Sequence, residues 1–454
     1  MEAAARTNDS AGFIPCIHFF QNIKYRATEL AKKLKKIGKD DPRRIFHSFK
    51  VGLALSLISI FYYLNPIFTS LGSSSTMWAI LTVVVVMEYT AGGTLSKGLN
   101  RTFATLIAGA LGLAAQRLAH ALSGHTTGEP ILLSVFVFLI AAMATFSRFV
   151  PEIKARYDYG VMIFILTFSL VAVSGYREEE LIKLALQRLS TIGIGVGLCL
   201  AISMFVFPVW AGEDLHELMA ANIDKLACFL EGLEEEYFGE KMDIDKISEE
   251  ASFLKCYKSV LNSKPTEDSL ANFARWEPGH GRFGYRHPWQ QYAKLGALTR
   301  QCAYSIEALN SHISTTKKNQ VITDTEFSKR IRTACSEMST ETGKALAELA
   351  TAIREMRSPS TSAAQHLSSA TEASRSLYAL SPAKDASLPD ILQSANSASL
   401  LSEVVKSGRQ LAIAVEEFSC VAHFKRQEQA QKDATVNPVA GGESPPHVVI
   451  EMEK

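Results

Sequence analysis

Residues 83–101 read VVVVMEYTAGGTLSKGLNR. A run of β-branched apolar residues meets Glu88, two glycines follow, then Lys97 and Arg101, and from Thr102 to Ala115 the chain turns apolar again. What these runs are depends on their solvent. A helix on the surface of a soluble core needs a polar stripe at helical spacing, and the two runs carry almost none. A short hinge with one acid and two bases then joins two segments suited to lipid.

The same pattern extends on both sides. Six apolar segments are expected, at Phe49–Leu64, Thr76–Tyr89, Thr102–Leu122, Ile131–Phe149, Tyr159–Ser174 and Leu189–Val209. A bilayer core takes about 17–25 apolar residues in helix; the second segment is short by that measure. The whole-chain averages conceal this. The 454 residues carry a net charge of +1 and 20 % charged residues, and the mean hydropathy is +0.07. Those values blend an apolar half with a polar, Ser/Thr-rich half that begins after Gly212.

The charges between segments give an orientation. Nine bases from Lys24 to Arg44 precede the first segment, and NPIFTSLGSSS after it has none. Lys97 and Arg101 occupy the second connection, and Arg148, Lys154 and Arg156 the fourth; the fifth, GYREEELIK, is net acidic. Basic and non-basic loops alternate, which by the positive-inside rule makes six crossings with both termini cytosolic. The opening MEAAARTNDSAGFIPCIHFF is too weakly hydrophobic for a secretory signal, so the first membrane helix is expected to do the targeting.

Other chemistries find little support. Seven scattered cysteines form no Cys-x-x-Cys pair, and the eleven histidines no His-x-x-x-His pair, so no zinc site, disulfide framework or catalytic triad is expected. The protein is read as a non-enzyme without cofactor or nucleic-acid partner. Residues 279–284, GHGRFG, match a Gly-x-Gly-x-x-Gly pattern, but no strand precedes them. They read as a packed loop anchored by Trp276 and Trp289.

Bases at membrane depth are the chemical signal. A charge deep in lipid costs at least about 2.5–3.5 kcal/mol, so such residues normally face a wet cavity or a partner. Lys50, Lys97, Arg101, Arg117, Arg148 and Arg188 stand at or just inside segment ends. Rings of such bases select anions in pores. Glu88 is the sole carboxylate between Phe49 and Glu129 and is placed to pair with one of them. In the sixth segment Gly193 and Gly197 make a Gly-x-x-x-Gly, read as ordinary helix contact in preference to a dimerisation motif.

Five blocks of this half resemble the plant aluminium-activated malate transporters: DPRRIFHSFKVGLAL (41–55), MWAILTVVVVMEYTAGGTLSKGLNR (77–101), ATFSRFVPEIKARYDYGVMIFILTF (144–168), QRLSTIGIGV (187–196) and FPVWAGEDLH (207–216). So does ANFARWEPGHGRFGYRHPWQQYAKLGALTRQCAY (271–304), with the Trp-Glu-Pro motif of that family. The resemblance implies an anion channel, a homodimer with six helices per subunit and a helical cytosolic domain. It implies pore bases at Lys50, Arg101 and Arg188, family positions at Trp78 and Glu88, and the motif at Trp276, Glu277 and Pro278. A regulatory stretch is implied near Phe207 to Trp210. YREEELIKLA and PEIKARYDYG look closest to the plasma-membrane members that release malate, with the vacuolar membrane as the alternative.

Aluminium sensing would need clustered carboxylates outside, for which Glu178, Glu179 and Glu180 are the candidates. The first external loop holds no acid and Lys183 follows Glu179 by one turn, features that count against direct gating by aluminium.

From Leu215 onward apolar residues recur at three and four, and helices are expected near 215–237, 245–262, 290–313, 325–357, 363–380 and 388–424, with breaks at Lys264-Pro265, 278–288 and 358–362. The expected fold is an all-α membrane protein: a cytosolic basic segment 1–46, a six-helix pore domain 47–210, a cytosolic helical bundle 211–426 and a disordered tail 427–454. Its expected partners are malate and other small anions, membrane lipid and a second subunit. A coupled organic-acid exporter with Glu88 as its titratable group is the alternative.

Overall fold

The computed structural model describes residues 13–64, 73–123, 128–174, 178–233, 256–284, 287–317, 326–378 and 388–425. Among them the only β pairing is two isolated bridges, and the rest is helix and short connection. The fold is all-α. Contacts divide the chain into two compact units, before and after the Trp210–Ala211 bond.

The first unit opens with α1 (Phe13–Asp40) and α2 (Arg43–Leu64), followed by α3 (Ser73–Val86), α4 (Ala91–Ser123), α5 (Gly128–Ser147), α6 (Pro151–Val173) and α7 (Glu178–Phe205). Five of these, α2 and α4 to α7, are long and apolar enough to cross a membrane. The remaining segment of the sequence reading, the second, is α3, whose 14 residues rise about 21 Å against a hydrocarbon core of about 30 Å. The exposed faces are apolar. Helix α5 buries no residue at all, and Phe138, Met143 and Phe146 stand more than two-thirds exposed on it. Such a surface suits lipid and not water.

Helix α4 is the centre of this unit and touches α5, α6 and α7. Its small residues explain how. Ala104, Ala108, Gly112, Ala115 and Ala119 recur along one face, all buried, and a Cβ on Gly112 would lie 2.8 Å from the Val171 side chain on α6. Against α7, a Cβ on Gly98 would lie 2.7 Å from Val196. Absent side chains let backbones close, which is how helices associate in lipid. A second apolar cluster joins α2, α3 and α7 through Ala54, Ile58, Ala79, Val83, Val86, Ile192 and Val196.

The glycine pair of the sixth segment is a correction. A Cβ on Gly193 or Gly197 would meet nothing within 4 Å, so the pair makes no close helix contact among the described residues. Gly195 between them makes it instead, against Thr82 and Ala79 of α3.

Segment bounds also move. Helix α4 starts at Ala91 and not near Thr102, so Lys97 and Arg101 lie inside a helix and the hinge is only Met87–Thr90. The cause is a cap: the Thr90 hydroxyl accepts the Gly93 N–H at 3.1 Å. Helices α6 and α7 likewise begin earlier than their apolar runs, at Pro151 and Glu178. Polar turns continue a helix past the end of its hydrophobic stretch.

The second unit contains α8 (Ala211–Leu233), the short α9 (Lys258–Leu261), α10 (Lys264–Ala274), α11 (Trp289–Lys317), α12 (Glu326–Glu355), α13 (Thr361–Tyr378) and α14 (Leu388–Val421). Helices α8, α13 and α14 all pack on α12 around one core that includes Leu215, Met219, Phe229, Leu349 and Phe418. The expected helix near 245–262 falls mostly outside the described residues, as does the tail after Lys425. Pro265 does not break a helix; it sits in the first turn of α10, where its missing N–H has no partner to lose.

Candidate functional site

The hinge of the opening stretch is held by its own side chains. The Thr94 hydroxyl accepts the Glu88 N–H at 3.0 Å, and the Ala91 N–H reaches the Val209 carbonyl at 2.8 Å beyond the end of α7. At the base of α2, the Asp41 carboxylate accepts the Arg43 N–H at 3.1 Å, the Arg44 Nε–H at 3.2 Å and the Tyr89 hydroxyl at 3.2 Å. Three elements therefore meet at fixed geometry around Glu88.

Glu88 forms an ion pair with Lys97, so the sole acid between Phe49 and Glu129 does hold a base. The Lys97 ammonium also stands 5.7 Å from the centre of the Tyr159 ring, and the Tyr159 hydroxyl accepts a 3.1 Å hydrogen bond from Arg101 Nη1. Glu88, Lys97, Arg101 and Tyr159 are thus one cluster spanning the Met87–Thr90 hinge, α4 and α6. Arg101 is 3 % exposed, and its Nε–H finds no partner among the described residues.

Arg188 is the eleventh residue of α7 and not its opening residue. It is 9 % exposed, and its guanidinium lies 4.2 Å from the centre of the Trp78 ring of α3. A cation over an aromatic face gains electrostatically without a counter-charge. Its Nε–H also lacks a partner among the described residues. Lys50 on α2 is 2 % exposed and makes no ion pair with any described residue. A buried base without a carboxylate is a costly arrangement, and Lys50, Arg101 and Arg188 are in that position among the described residues. Arg148, by contrast, is satisfied by Asp158 through two bonds of 2.7 and 3.2 Å.

The remaining candidates lie elsewhere. Glu178, Glu179 and Glu180 form the first turn of α7, and their side chains lie outside the described residues. Phe207 adopts φ +47°, costly for a bulky residue, and packs on Phe46 with ring centres 4.6 Å apart. Trp210 closes the first unit.

In the second unit the Trp-Glu-Pro motif has a structural task. The Glu277 carboxylate accepts the N–H groups of Ala211 at 2.6 Å and Gly212 at 3.0 Å, capping α8 where its dipole is positive. Trp276 is half-buried and Pro278 exposed. Gly212 is required here, because a Cβ would lie 2.4 Å from Cη2 of Trp289. The loop 279–284 turns at Gly281 with φ +53° and buries Phe283. Around it, the Tyr292 hydroxyl meets His216 Nδ1 at 2.8 Å and His287 Nε2 at 3.1 Å. Burial lowers both imidazoles to about 4.

Tyr159 was not singled out by the sequence, since nothing in PEIKARYDYG distinguishes it from Tyr157. Among the described residues no group of three His, Cys, Asp or Glu could hold a metal ion.

Lipid-suited helices that carry buried bases, in a chain that continues into a helical bundle, define a multi-pass helical membrane protein. Residues 35–380 match the family model described as "Aluminium activated malate transporter". Aluminum-activated malate transporter 1 of Triticum aestivum is 50 % identical over 430 residues, covering 94 % of this chain and 93 % of that protein. Aluminum-activated malate transporters 2 and 1 of Arabidopsis thaliana are 46 % and 45 % identical, over 90 % and 88 % of this chain and 81 % and 82 % of theirs. This chain belongs to the aluminium-activated malate transporter family, a family of transporters and not of enzymes.

Proposed function

We propose that this protein is an anion channel releasing malate and other small anions from plant cells. The observation that carries this reading is the set of buried bases Lys50, Arg101 and Arg188 without a carboxylate partner among the described residues. Such groups attract a carboxylate and replace part of its water, and conduction requires that they hold it weakly enough for release. No chemical energy is needed. At about 100 mV, negative inside, a leaving dianion is favoured by roughly 4.6 kcal/mol.

Lys97 and Glu88 brace this path, Trp78 supports Arg188, and the pathway bases act in the plasma membrane with both termini cytosolic. The protein works as a homodimer, for which the open face at Gly193 and Gly197 supplies a close-approach surface. Glu178, Glu179 and Glu180 are the candidates for aluminium activation, and Phe207, Trp210 and the Trp-Glu-Pro motif for regulation. Glu88 is engaged by Lys97, which supports a channel over an exporter that loads protons on Glu88.

Voltage clamp of oocytes expressing the chain and loaded with malate tests this. The reversal potential should follow the external malate gradient and ignore external pH. A reversal potential that moves with pH would overturn the channel in favour of coupled export.

A further inference from the structure

Helix α1 is a charged, amphipathic helix whose apolar stripe at Leu30, Leu34 and Ile37 is exposed among the described residues. From Lys24 to Lys39 it carries seven lysines and arginines against one acid, Glu29. Ala27, Leu30, Leu34 and Ile37 recur at three and four and therefore share one face. Leu30 is 57 %, Leu34 59 % and Ile37 43 % exposed, so the stripe faces no other described part of the chain. Lys24, Arg26 and Lys33 flank the stripe, and Lys32, Lys35, Lys36 and Lys39 lie on the far side of the helix.

The position of this helix is fixed. Gly38 is close enough to Ile45 that a Cβ would lie 3.0 Å from its Cδ1. Only Asp41 and Pro42 separate α1 from α2, the first candidate span, and Asp41 binds the start of α2 and Tyr89 together. The foot of α1 is therefore held at the end of a membrane helix, within reach of headgroups.

We infer that α1 is an interfacial helix that binds an anionic lipid surface, its Leu30–Leu34–Ile37 stripe entering the acyl boundary and its bases neutralising the headgroups. Three features select lipid as the occupant: excess positive charge, an apolar stripe too narrow to span, and continuity with a transmembrane helix. Long lysine stems let the bordering charges reach headgroups while the stripe is submerged. A helix left unpacked in water frays readily, so lipid contact also stabilises its backbone. This goes beyond ion conduction and holds whichever anion the protein carries.

The test is hydrogen–deuterium exchange on the full chain in nanodiscs of phosphatidylcholine alone or mixed with phosphatidylserine. In the mixed discs, amides of residues 30–37 should exchange at least about tenfold more slowly than in neutral discs. High salt, or the variant Lys32→Glu/Lys33→Glu/Lys35→Glu/Lys36→Glu, should abolish the difference. Exchange of α8 serves as the control for folding of each variant. Equal exchange in both discs would overturn the inference. So would protection that persists in high salt and in the charge-reversed variant, because the stripe would then be covered by protein.

Discussion

Arg101 concentrates the chemistry of the membrane unit in one side chain. It is buried, held by a single hydroxyl and left with an unpartnered Nε–H among the described residues. If Arg101 is a selecting charge of the proposed channel, Arg101→Gln should keep the protein in the membrane while lowering malate current roughly tenfold. A scaffold without a pore would tolerate the change. Tyr159→Phe removes only the 3.1 Å bond and should have a smaller effect on current at the same expression.

At the same scale, Glu277 caps α8. Glu277→Gln keeps the shape but removes a charge from the helix N-terminus. A loss of about 1–2 kcal/mol is expected, read as a thermal midpoint lowered by about 2–8 °C in detergent. His216 and His287 add a pH dependence. Burial holds both at about 4, below the usual 6.5. The unfolded chain therefore binds more protons between those values, and stability falls as pH drops from about 6.5 towards 4. The loss is on the order of 2–4 kcal/mol after allowing for the partial exposure of His287. Thermal midpoints followed across this range should flatten in the variant His287→Gln.

Among elements, glycines separate packed from open helix faces. Gly98→Val places a methyl group into Val196 and should cost about 1–3 kcal/mol, seen as poor recovery of folded protein in detergent. Gly193→Val meets open space and should leave the fold of the single chain unchanged. If the proposed dimer closes on this face, the same variant will shift the chain towards monomer in size-exclusion chromatography. The capped start of α4 also shows why element bounds shift from their hydropathic limits. Sequence hydropathy ends where lipid contact ends, whereas the Thr90 cap and Thr94 bridge decide where helix begins.

For the whole molecule, the second unit has a core of its own, with fully buried Tyr292, Phe229 and Phe418. Residues 211–425 expressed alone should fold as a helical, cooperatively melting protein. A broad melt without a transition would show that this core needs the membrane unit.

Much of this was legible in the chain before folding. The apolar runs, their basic and non-basic connections and the three–four periodicity after Leu215 determine an all-helical membrane protein, because lipid demands internally satisfied backbones. The candidate bases were legible for the same reason: a charge amid apolar residues stands out. Tertiary structure alone decided which of them are paired. Arg148 is answered by Asp158 and Lys97 by Glu88, while among the described residues Arg188 lies on Trp78 and Arg101 reaches Tyr159. Pairing depends on distances between helices far apart in sequence, and composition carries no such distances.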